Sequence, residues 1–553
     1  MDIYQGYFIL FLILGICITA ILVLIRWKRS RLLNGLKNSW GKEDTRFRDF
    51  NQISAYHRSA SNEKYRSVDK TTSSDLNLHE VYSKIDRCKS RVGQQYLYSL
   101  LHSPVFDNDI LKEREILISL FQNNIDLRLR TQIELWKLNK HLTYSIPNLI
   151  FDWALEPLKY RLFVFILSIT PVLLVLLGMY YSSSFYLLLP VSFLANLIVQ
   201  YKNKAKLRFF MTPFAQIAAL SESSKKIENL DGALSLFDLE KAHQKFKSLK
   251  LTQFLLTSDH HEHNEFSSFV ALLLEYIKIT FLLEINLLDR CMKIASSFRE
   301  EIHELYKYIG LIDSCISIAS YRQGLDFYCI PRFDQVARIK AEDIVHPLIK
   351  DCVANSINTN GKNVLITGSN MSGKTTFIRT VALNAILAQS IHTVCAKSYE
   401  TCLLNVSTSI GISDDVLLGK SYYLSELESV YNFIERSDES GTVNLFVMDE
   451  LFKGTNTAER IAAGQAVLEY LGRGNHIIFV STHDLELSSL LNSGYDLYHF
   501  TEEVNNKGFY FDHKIKKGIL KTRNAIKLLN YFGYPEEIIR SANAYIRSAN
   551  SNE

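Results

Sequence analysis

The sequence predicts an α/β domain after residue 345, preceded by a largely helical region and by helices that span a membrane. Three observations lead to this interpretation. After residue 345, short β-rich runs alternate with helical patterns, as is typical of a parallel sheet. Before it, apolar residues recur at helical spacings of three and four. Two long stretches in the first 201 residues carry no charged residue.

Composition narrows the class of protein without identifying it. The chain has 553 residues, enough for several structural units, and a net charge of +4. So small a charge neither indicates nor excludes nucleic-acid binding, because such binding depends on where the basic residues lie. The eight cysteines include no CxxC pair, so neither a zinc ribbon nor a redox motif is expected. We interpret them as free cytosolic thiols.

The first uncharged stretch predicts an N-terminal membrane anchor. Tyr7–Ile25 contains 19 residues without a charge, which as a helix would be about 28 Å long, close to the thickness of a bilayer's hydrocarbon core. A cleaved signal peptide would place basic residues before the apolar run. Here only Asp2 precedes it and basic residues follow it, so we expect an uncleaved helix.

The second uncharged stretch predicts a membrane hairpin. Leu162–Tyr201 holds 40 residues without a charge, too long for one span and suited to two. The run 180–184 (YYSSS) supplies a turn. Pro171 and Pro190 lie inside the spans, where proline is tolerated better than in soluble helices.

Basic flanks predict how these three spans are oriented. Lysine and arginine collect on the cytoplasmic side of membrane helices, and here the flanking residues are Arg26, Lys28, Arg29, Arg31, Lys159, Arg161, Lys202, Lys204, Lys206 and Arg208. We therefore expect a multi-pass protein of the cell (inner, cytoplasmic) membrane with its N-terminus outside. A short loop near Ser183 would also be outside, and residues 26–161 and all that follows Lys202 would be cytoplasmic.

Between the membrane segments and the α/β domain the pattern is mostly helical. Residues 40–75 are polar and predict a linker or loosely ordered segment. Residues 79–138 and 207–325 read as helices, among them one long amphipathic stretch, Phe266–Leu288. Arg26–Arg48 holds eight basic residues against two acidic ones; it could contact anionic lipid or DNA.

A phosphate-binding loop stands at the start of the α/β domain. Residues 368–375 read GSNMSGKT and fit the pattern GxxxxGK[ST], after the apolar strand Val364–Ile366 and before a helix predicted over Thr376–Leu387. In such a loop, backbone N–H groups and the helix N-terminus surround the phosphates, the lysine neutralises them and the hydroxyl ligates Mg²⁺. The predicted nucleotide-binding residues are Gly368, Ser369, Asn370, Met371, Ser372, Gly373, Lys374, Thr375 and Thr376.

Two further strand ends supply candidate catalytic residues. The apolar strand Leu445–Met448 ends at Asp449, which with Thr375 would hold Mg²⁺, and at Glu450, which would orient or activate the attacking water. The strand His476–Thr482 ends at His483, which could hydrogen-bond the γ-phosphate region.

These blocks resemble the MutS mismatch-repair family. Residues 367–376 (TGSNMSGKTT) are similar to that family's TGPNMGGKST, with Ser369 in place of proline. Residues 411–427 resemble its GASDDL…GxSTFMxEM segment, 449–457 its DEIGRGTST, and 481–484 its ATH block. Weaker likeness extends over most of residues 80–160 and 207–545.

The resemblance implies an α/β P-loop NTPase of the ABC-type, MutS-like kind, behind an all-α core that the transmembrane hairpin interrupts. It implies ATP and Mg²⁺ as cofactors and a homodimer with composite sites. In that dimer Ser421 of one subunit would meet the γ-phosphate held by Lys374 of the other, and Asn370 would face the phosphates. The family also binds DNA through clamp and lever helices that respond to ATP.

Departures from the family pattern are equally specific. Nothing here resembles the family's N-terminal mismatch-reading domain, which we expect to be lacking. After the hairpin, about 120 residues of helical core remain, over 207–325, too few for the full lever and clamp. Cys352 falls where the family often stacks an aromatic residue on adenine, and Lys397 where glutamine or glutamate is common, which leaves base selectivity open.

The predicted division of the chain has six parts. They are a transmembrane anchor (1–26), a basic juxtamembrane segment and linker (27–78), a helical MutS-core-like region (79–160), the membrane hairpin (161–201), a helical core or lever-like region (202–340), and the ATPase domain with a C-terminal helical dimerisation segment (341–553).

Three functions compete. The first is a membrane-anchored ATPase coupled to binding of mismatched or structured DNA, so that DNA is a candidate partner beside the lipid membrane. The second is a membrane mechano-ATPase or scaffold with a MutS-type engine and no DNA binding. A transporter of ABC type is less favoured, because three uncharged spans make a poor pathway and the Ser421 block replaces the usual signature.

Overall fold

The computed structural model describes residues 3–60, 67–151, 160–246, 265–369, 372–411, 422–438, 441–491, 493–505, 508–520, 529 and 533–550. The chain divides into two compact units. The first comprises Met1–Glu63, Ile85–Ser99 and Ile116–Gln323. The second comprises Lys64–Lys84, Leu100–Glu115 and Gly324–Glu553.

The described secondary structure runs as follows. The helices are α1 (Ile3–Asn38), α2 (Phe50–Ile53), α3 (Ala55–Ala60), α4 (Lys70–Asp75), α5 (Leu78–Ile85), α6 (Arg91–His102), α7 (Asn108–Asn123), α8 (Ile125–Trp136), α9 (Ile146–Phe151), α10 (Arg161–Tyr180), α11 (Leu189–Glu228), α12 (Glu240–Phe246), α13 (Glu265–Thr280), α14 (Leu283–Ser297), α15 (Arg299–Gln323), α16 (Lys374–Ser390), α17 (Tyr422–Ser437), α18 (Thr457–Leu471), α19 (Leu485–Leu490) and α20 (Glu536–Asn550). The strands are β1 (Arg332–Phe333), β2 (Ile339–Ile344), β3 (Asn355–Asn358), β4 (Asn363–Thr367), β5 (Ser398–Thr401), β6 (Leu404–Ser409), β7 (Val443–Asp449), β8 (Ile477–Thr482), β9 (Tyr495–Asn505) and β10 (Gly508–Lys517).

The described residues of the first unit form helices and turns, as the spacing of apolar residues predicts. One predicted helix is wrong: the stretch Phe266–Leu288 is broken between α13 and α14, where Leu282 takes a left-handed backbone with φ of 46°. A β-carbon disfavours that conformation and ends a regular helix. Leu282 is fully buried, so tertiary packing outweighs the helical pattern of the sequence.

The prediction of a loosely ordered linker over residues 40–75 is also wrong for the residues that the structure describes. Asp49 caps α2 by accepting a hydrogen bond from the Asn51 N–H. Tyr56 on α3 is buried and stacks on Tyr306, with ring centroids 4.7 Å apart. Polar caps and single aromatic side chains thus order a segment that has few aliphatic residues.

Two of the eight basic residues in Arg26–Arg48 form ion pairs with one buried acid of the first unit. Arg46 and Arg48 form ion pairs with the fully buried Asp86 at 2.9 and 3.0 Å. Burial alone would raise the pKa of Asp86, but the two guanidinium groups outweigh it and lower that pKa. These two arginines therefore stabilise the fold, and the prediction of a lipid or DNA contact applies to the remaining basic residues only.

Among the described residues, two stretches are long and apolar enough to cross a membrane, Arg161–Tyr180 and Ser183–Lys204. They coincide with the predicted hairpin. Leu162 and Phe163 are 73% and 57% exposed, although apolar residues of this size are usually buried in a soluble protein. The predicted span Tyr7–Ile25 lies within α1, but many of its side chains are outside the described part of the structure, so it stays a prediction.

The second unit contains two sheets in its described residues. In the larger sheet the strand order is β10-β9-β4-β8-β7-β6, parallel except for the antiparallel β9–β10 pair. The smaller sheet has the order β1-β5-β2-β3. The predicted parallel α/β sheet is thus confirmed at its centre, where every residue of β4 and β8 is buried, while the antiparallel pair was not predicted.

Candidate functional site

The loop between β4 and α16 has the backbone that its glycines permit. Gly368 and Gly373 adopt φ of 151° and 111°, a region that side chains rarely allow. A Cβ on Gly368 would also lie 3.0 Å from the Phe500 carbonyl oxygen. The helix begins at Lys374, slightly earlier than the predicted Thr376, and its first turn points free N–H groups into the loop. The described ends of the loop, at Gly368 and Gly373, therefore have backbone angles that suit a phosphate-binding loop.

Lys374 is almost fully buried beneath this loop. Its Nζ donates hydrogen bonds to the carbonyl oxygens of Gly368 at 2.7 Å and Ser369 at 3.0 Å. A lysine buried at the base of a phosphate loop places its positive charge where phosphate oxygens would lie. Asn370 and Met371 lie outside the described residues, so the structure leaves their predicted contacts with the phosphates untested.

Asp449 and Thr375 meet at the C-terminal edge of the sheet. The Thr375 hydroxyl donates to Asp449 Oδ2 at 2.7 Å, and the Ser481 hydroxyl donates to the other carboxylate oxygen. Parallel pairing of β7 with β8 places Ser481 directly opposite Asp449. Hydroxyl and carboxylate oxygens are the ligands that Mg²⁺ prefers, so the pair predicted to hold the metal has a fitting set of donors. Sequence reasoning gave Ser481 no role, although strand register could have identified it.

Glu450 is held by two side chains, a lysine and a histidine. Its carboxylate forms ion pairs with Lys453 at 2.9 Å and with His483 Nε2. Burial alone would raise the pKa of Glu450 above its usual 4.5, but hydrogen bonds from His483 and Lys453 outweigh burial and lower the pKa to about 2. The structure therefore joins two residues that the sequence placed separately at the site, and adds Lys453, which the prediction did not consider.

A cavity of about 430 Å³ opens beside the phosphate loop. Cys352, Phe500 and His513 line it together with Lys374 and Thr375. His513 Nδ1 lies 3.1 Å from the Ser372 carbonyl oxygen, and the antiparallel β9–β10 pair carries it there. Cys352 thus lies beside the cavity, as its motif position predicts, and His513 adds an aromatic ring that no sequence signal identified.

Ser421 lies outside the described residues, and its predicted role at a second subunit's γ-phosphate stays a prediction. The helix α17 begins at the next residue, Tyr422, and continues to Ser437.

The second unit also includes a segment from far earlier in the chain. Asp75, at the end of α4, accepts hydrogen bonds from the Thr408 hydroxyl at 2.7 Å and from the Ile410 and Gly411 N–H groups, both at 2.9 Å. The Thr72 hydroxyl accepts from the Thr408 N–H at 3.0 Å. These bonds fix the backbone at the end of β6, where residues 412–421 begin. Sequence reasoning placed this segment in a linker and missed the contact.

Together the loop, the two acidic strand ends and the mainly parallel sheet define an α/β domain of the P-loop nucleotide-binding class. Comparison with known proteins refines this class. Residues 364–549 match the family model for MutS domain V. The DNA mismatch repair protein MutS of Staphylococcus haemolyticus is 29% identical over 292 residues, 49% of this chain and 32% of that protein. The protein of the same name from Thermus thermophilus is 30% identical over 265 residues, 47% of this chain and 31% of that protein.

The likeness is therefore to one part of these relatives. The chain spans about a third of the length of the curated proteins it matches. This likeness supports the predicted MutS resemblance of the C-terminal half. The phosphate loop, Asp449 and Glu450 all lie in that half.

Proposed function

We propose that this protein binds ATP with Mg²⁺ and hydrolyses it slowly at the site formed by the phosphate loop, Asp449 and Glu450. The observation that carries the proposal is the 2.7 Å hydrogen bond between Thr375 and Asp449. It sets a hydroxyl and a carboxylate side by side at the end of a loop shaped for phosphate. These two residues would hold Mg²⁺, which when bound neutralises charge on the phosphates.

Glu450 acts on the attacking water in this mechanism. With a pKa of about 2 its carboxylate is ionised at neutral pH and accepts a hydrogen bond from the water. So low a pKa makes it a weak base, so its main contribution is to orient the water towards the γ-phosphate. His483 and Lys453 hold the carboxylate in place through their ion pairs with it.

Phosphate release by the full chain, purified in detergent, tests this proposal. Wild type should release phosphate from ATP only when Mg²⁺ is present. The Glu450→Gln variant is the matched background, since it keeps the shape of the side chain. Equal phosphate release by wild type and Glu450→Gln would refute the catalytic assignment.

The proposed working unit is a two-fold dimer with composite ATP sites. A phosphate loop covers one side of the nucleotide, so hydrolysis needs donors on the other side of the γ-phosphate. Ser421 precedes the start of α17, whose N-terminus would offer N–H groups and a positive dipole end to a partner's nucleotide. Confinement to a membrane raises the effective concentration of subunits and favours pairing.

Mixed dimers test the composite site. Ser421→Arg and Lys374→Ala should each be inactive alone, whereas their heterodimer has one site with both an intact lysine and an intact serine. We expect partial recovery of ATPase activity in heterodimers that are verified by two different affinity tags. Verified heterodimers without activity, or a fully active monomer, would exclude the composite site.

We place the protein at the cell membrane with its ATPase domain in the cytoplasm. Support comes from the two apolar stretches with exposed side chains and from the basic flanks of all three predicted spans. A cysteine introduced at Ser183 should react with an impermeant thiol reagent added outside intact cells, and one at Ser59 should not. The reverse labelling would overturn the orientation.

The first candidate for the protein's function is ATP binding and hydrolysis coupled to the binding of mismatched or structured DNA. It rests on the similarity of the C-terminal half to proteins named as DNA mismatch repair proteins. Binding of homoduplex, mismatched and branched DNA by the full chain, with and without ATP, tests it. Phosphate contacts would make such binding weaken steeply with salt.

A mechano-ATPase or scaffold that binds no DNA is the second candidate. One observation favours it. Arg46 and Arg48, in the basic stretch Arg26–Arg48, form ion pairs with Asp86, so their charges are already paired and not available to the phosphate groups of DNA. DNA binding at moderate salt that ATP modulates would decide for the first candidate, and its absence for the second.

A further inference from the structure

The loop that follows β7 has an unusual backbone. Glu450 and Phe452 both adopt left-handed conformations, with φ of 56° and 60°. Non-glycine residues rarely take such angles, and each costs on the order of 1 kcal/mol or more. Leu451 and Phe452 pack into the buried apolar cluster of the second unit. Because this backbone directs the Glu450 side chain, whatever stabilises the loop also positions that carboxylate.

A buried glutamate from another element stabilises this loop. Glu426 on α17 is only 2% exposed and accepts a hydrogen bond from the Phe452 N–H. Burial raises the pKa of Glu426, while the backbone N–H groups of Phe452, Lys453 and Gly454 act in the opposite direction. Successive N–H groups that face one anionic group form a nest, a recurring way of fixing a backbone turn. The carboxyl of Glu426 thus accepts the hydrogen bond of the Phe452 N–H, a donor that no helix or strand pairs.

A second contact joins the same helix to the same loop. Tyr423 lies three residues before Glu426, and residues at this spacing share a helix face. A Cβ on Gly454 would come within 2.8 Å of Tyr423 Cβ, so the loop approaches the helix as closely as glycine allows. Further along α17, Val430 and Phe433 belong to the apolar cluster that also contains Phe452. The helix therefore contacts the loop at Tyr423 and Glu426 and shares one apolar cluster with it.

We propose that Glu426 is a positioning residue for hydrolysis, which holds the loop so that Glu450 faces the γ-phosphate. The assignment rests on the proposed ATPase function. It also gives α17 two tasks at once. The helix begins one residue after Ser421, the predicted donor to the second site of a dimer, and carries Glu426, which sets the geometry of its own subunit's Glu450. A shift of this helix on dimer formation would therefore reach the Glu450 carboxylate of the same subunit.

Steady-state kinetics of the full chain test the role of Glu426. Glu426→Ala leaves the N–H of the buried residue Phe452 without its acceptor, so kcat should fall about 10- to 100-fold, as expected when a catalytic group is displaced by about 1 Å. The KM for ATP should stay within about twofold, because the phosphate loop is untouched. Glu426→Gln keeps a carbonyl oxygen in place and should restore most of kcat. Glu435→Ala, an exposed position on the same helix, is the control and should match wild type.

Each outcome decides between the proposals. Wild-type kcat in Glu426→Ala overturns the positioning role, and so does a loss in Glu426→Gln as large as in Glu426→Ala. Absence of ATPase activity in wild type refutes the proposed function instead. Should Glu426→Ala fail to bind a fluorescent ATP analogue, Gly454→Ala becomes decisive, because it pushes the loop away from Tyr423 and leaves Glu426 in place. Gly454→Ala must then lower kcat with KM retained, and an unchanged kcat overturns the proposal.

Discussion

The phosphate loop and the acidic end of β7 lie at the same edge of one sheet, yet they are built in opposite ways. In the loop, Lys374 bonds to carbonyl oxygens only five and six residues away, and the Ser372 hydroxyl to one three residues away. At the strand end, Asp449 takes hydrogen bonds from residues 74 and 32 positions distant. The hydrogen bonds that position Lys374 are therefore local, whereas those that position Asp449 depend on tertiary structure.

Removing the loop's charge should have the largest effect. Lys374→Ala deletes a charge-assisted contact to the phosphates in a buried place, so affinity for ATP should fall on the order of 100-fold or more, and hydrolysis with it. Isothermal titration with ATP measures the loss. Lys362→Ala, which removes an exposed lysine of the same domain, should bind like wild type. Retained affinity in Lys374→Ala would show that the loop does not bind the phosphates.

Neutralising the strand end should separate hydrolysis from binding. Glu450→Gln should bind ATP with near wild-type affinity, while kcat falls about 100-fold, a typical loss when a group acting on the nucleophile is removed. Steady-state turnover gives kcat, and single-turnover phosphate release measures the rate of the hydrolysis step separately from product release. Glu469→Gln, on an exposed position of α18, controls for loss of charge. An equal loss of ATP affinity and of hydrolysis rate in Glu450→Gln would show that Glu450 also contributes to ATP binding, against the proposed separation of the two steps.

Ser481→Ala should have a smaller and metal-specific effect. Asp449 would lose one of its two hydroxyl donors, and loss of such a supporting bond weakens metal binding about tenfold. The concentration of Mg²⁺ that gives half-maximal ATPase activity should rise by that factor, while ATP affinity without Mg²⁺ stays constant. If the Mg²⁺ requirement were unaltered, Ser481 would contribute only to strand packing.

The acidic side of the pH profile should show the smallest effect. Because the fold lowers the pKa of Glu450, its ionised carboxylate stabilises the folded state. This contribution is fully present above the usual pKa of 4.5 and is lost as pH falls through about 2. Wild type should therefore lose no activity through Glu450 between pH 8 and pH 5. Lys453→Met removes one partner and lets burial raise that pKa, so kcat at pH 5 relative to pH 8 should drop a few-fold against wild type. Identical profiles would exclude Lys453 from holding the carboxylate.

What the sequence predicts follows the same division. The phosphate loop, the strands at Leu445 and Ile477 and the residues Asp449, Glu450 and His483 are recognisable because each signal lies within a few consecutive positions. Ser481 gains its role from strand register, and Glu426 from a helix 26 residues away from the backbone it holds. A pattern along the chain cannot encode such spatial pairing, and the same holds for Leu282, where packing breaks a well-formed helical pattern.

The contact of Asp75 with the end of β6 bears on the order in which this protein folds as it is made. Asp75 and Thr408 are 333 residues apart, and translation proceeds at roughly 5–20 residues per second. Asp75 therefore leaves the ribosome well over ten seconds before the strand that it will stabilise. Until then its buried carboxylate and the Thr72 hydroxyl must stay hydrated or find other partners. The nucleotide-binding domain can complete its fold only after its last strands emerge. A fragment that begins at residue 341 would lack Asp75, the acceptor for the Thr408, Ile410 and Gly411 donors. These donors lie at the end of β6, just before the segment that contains Ser421.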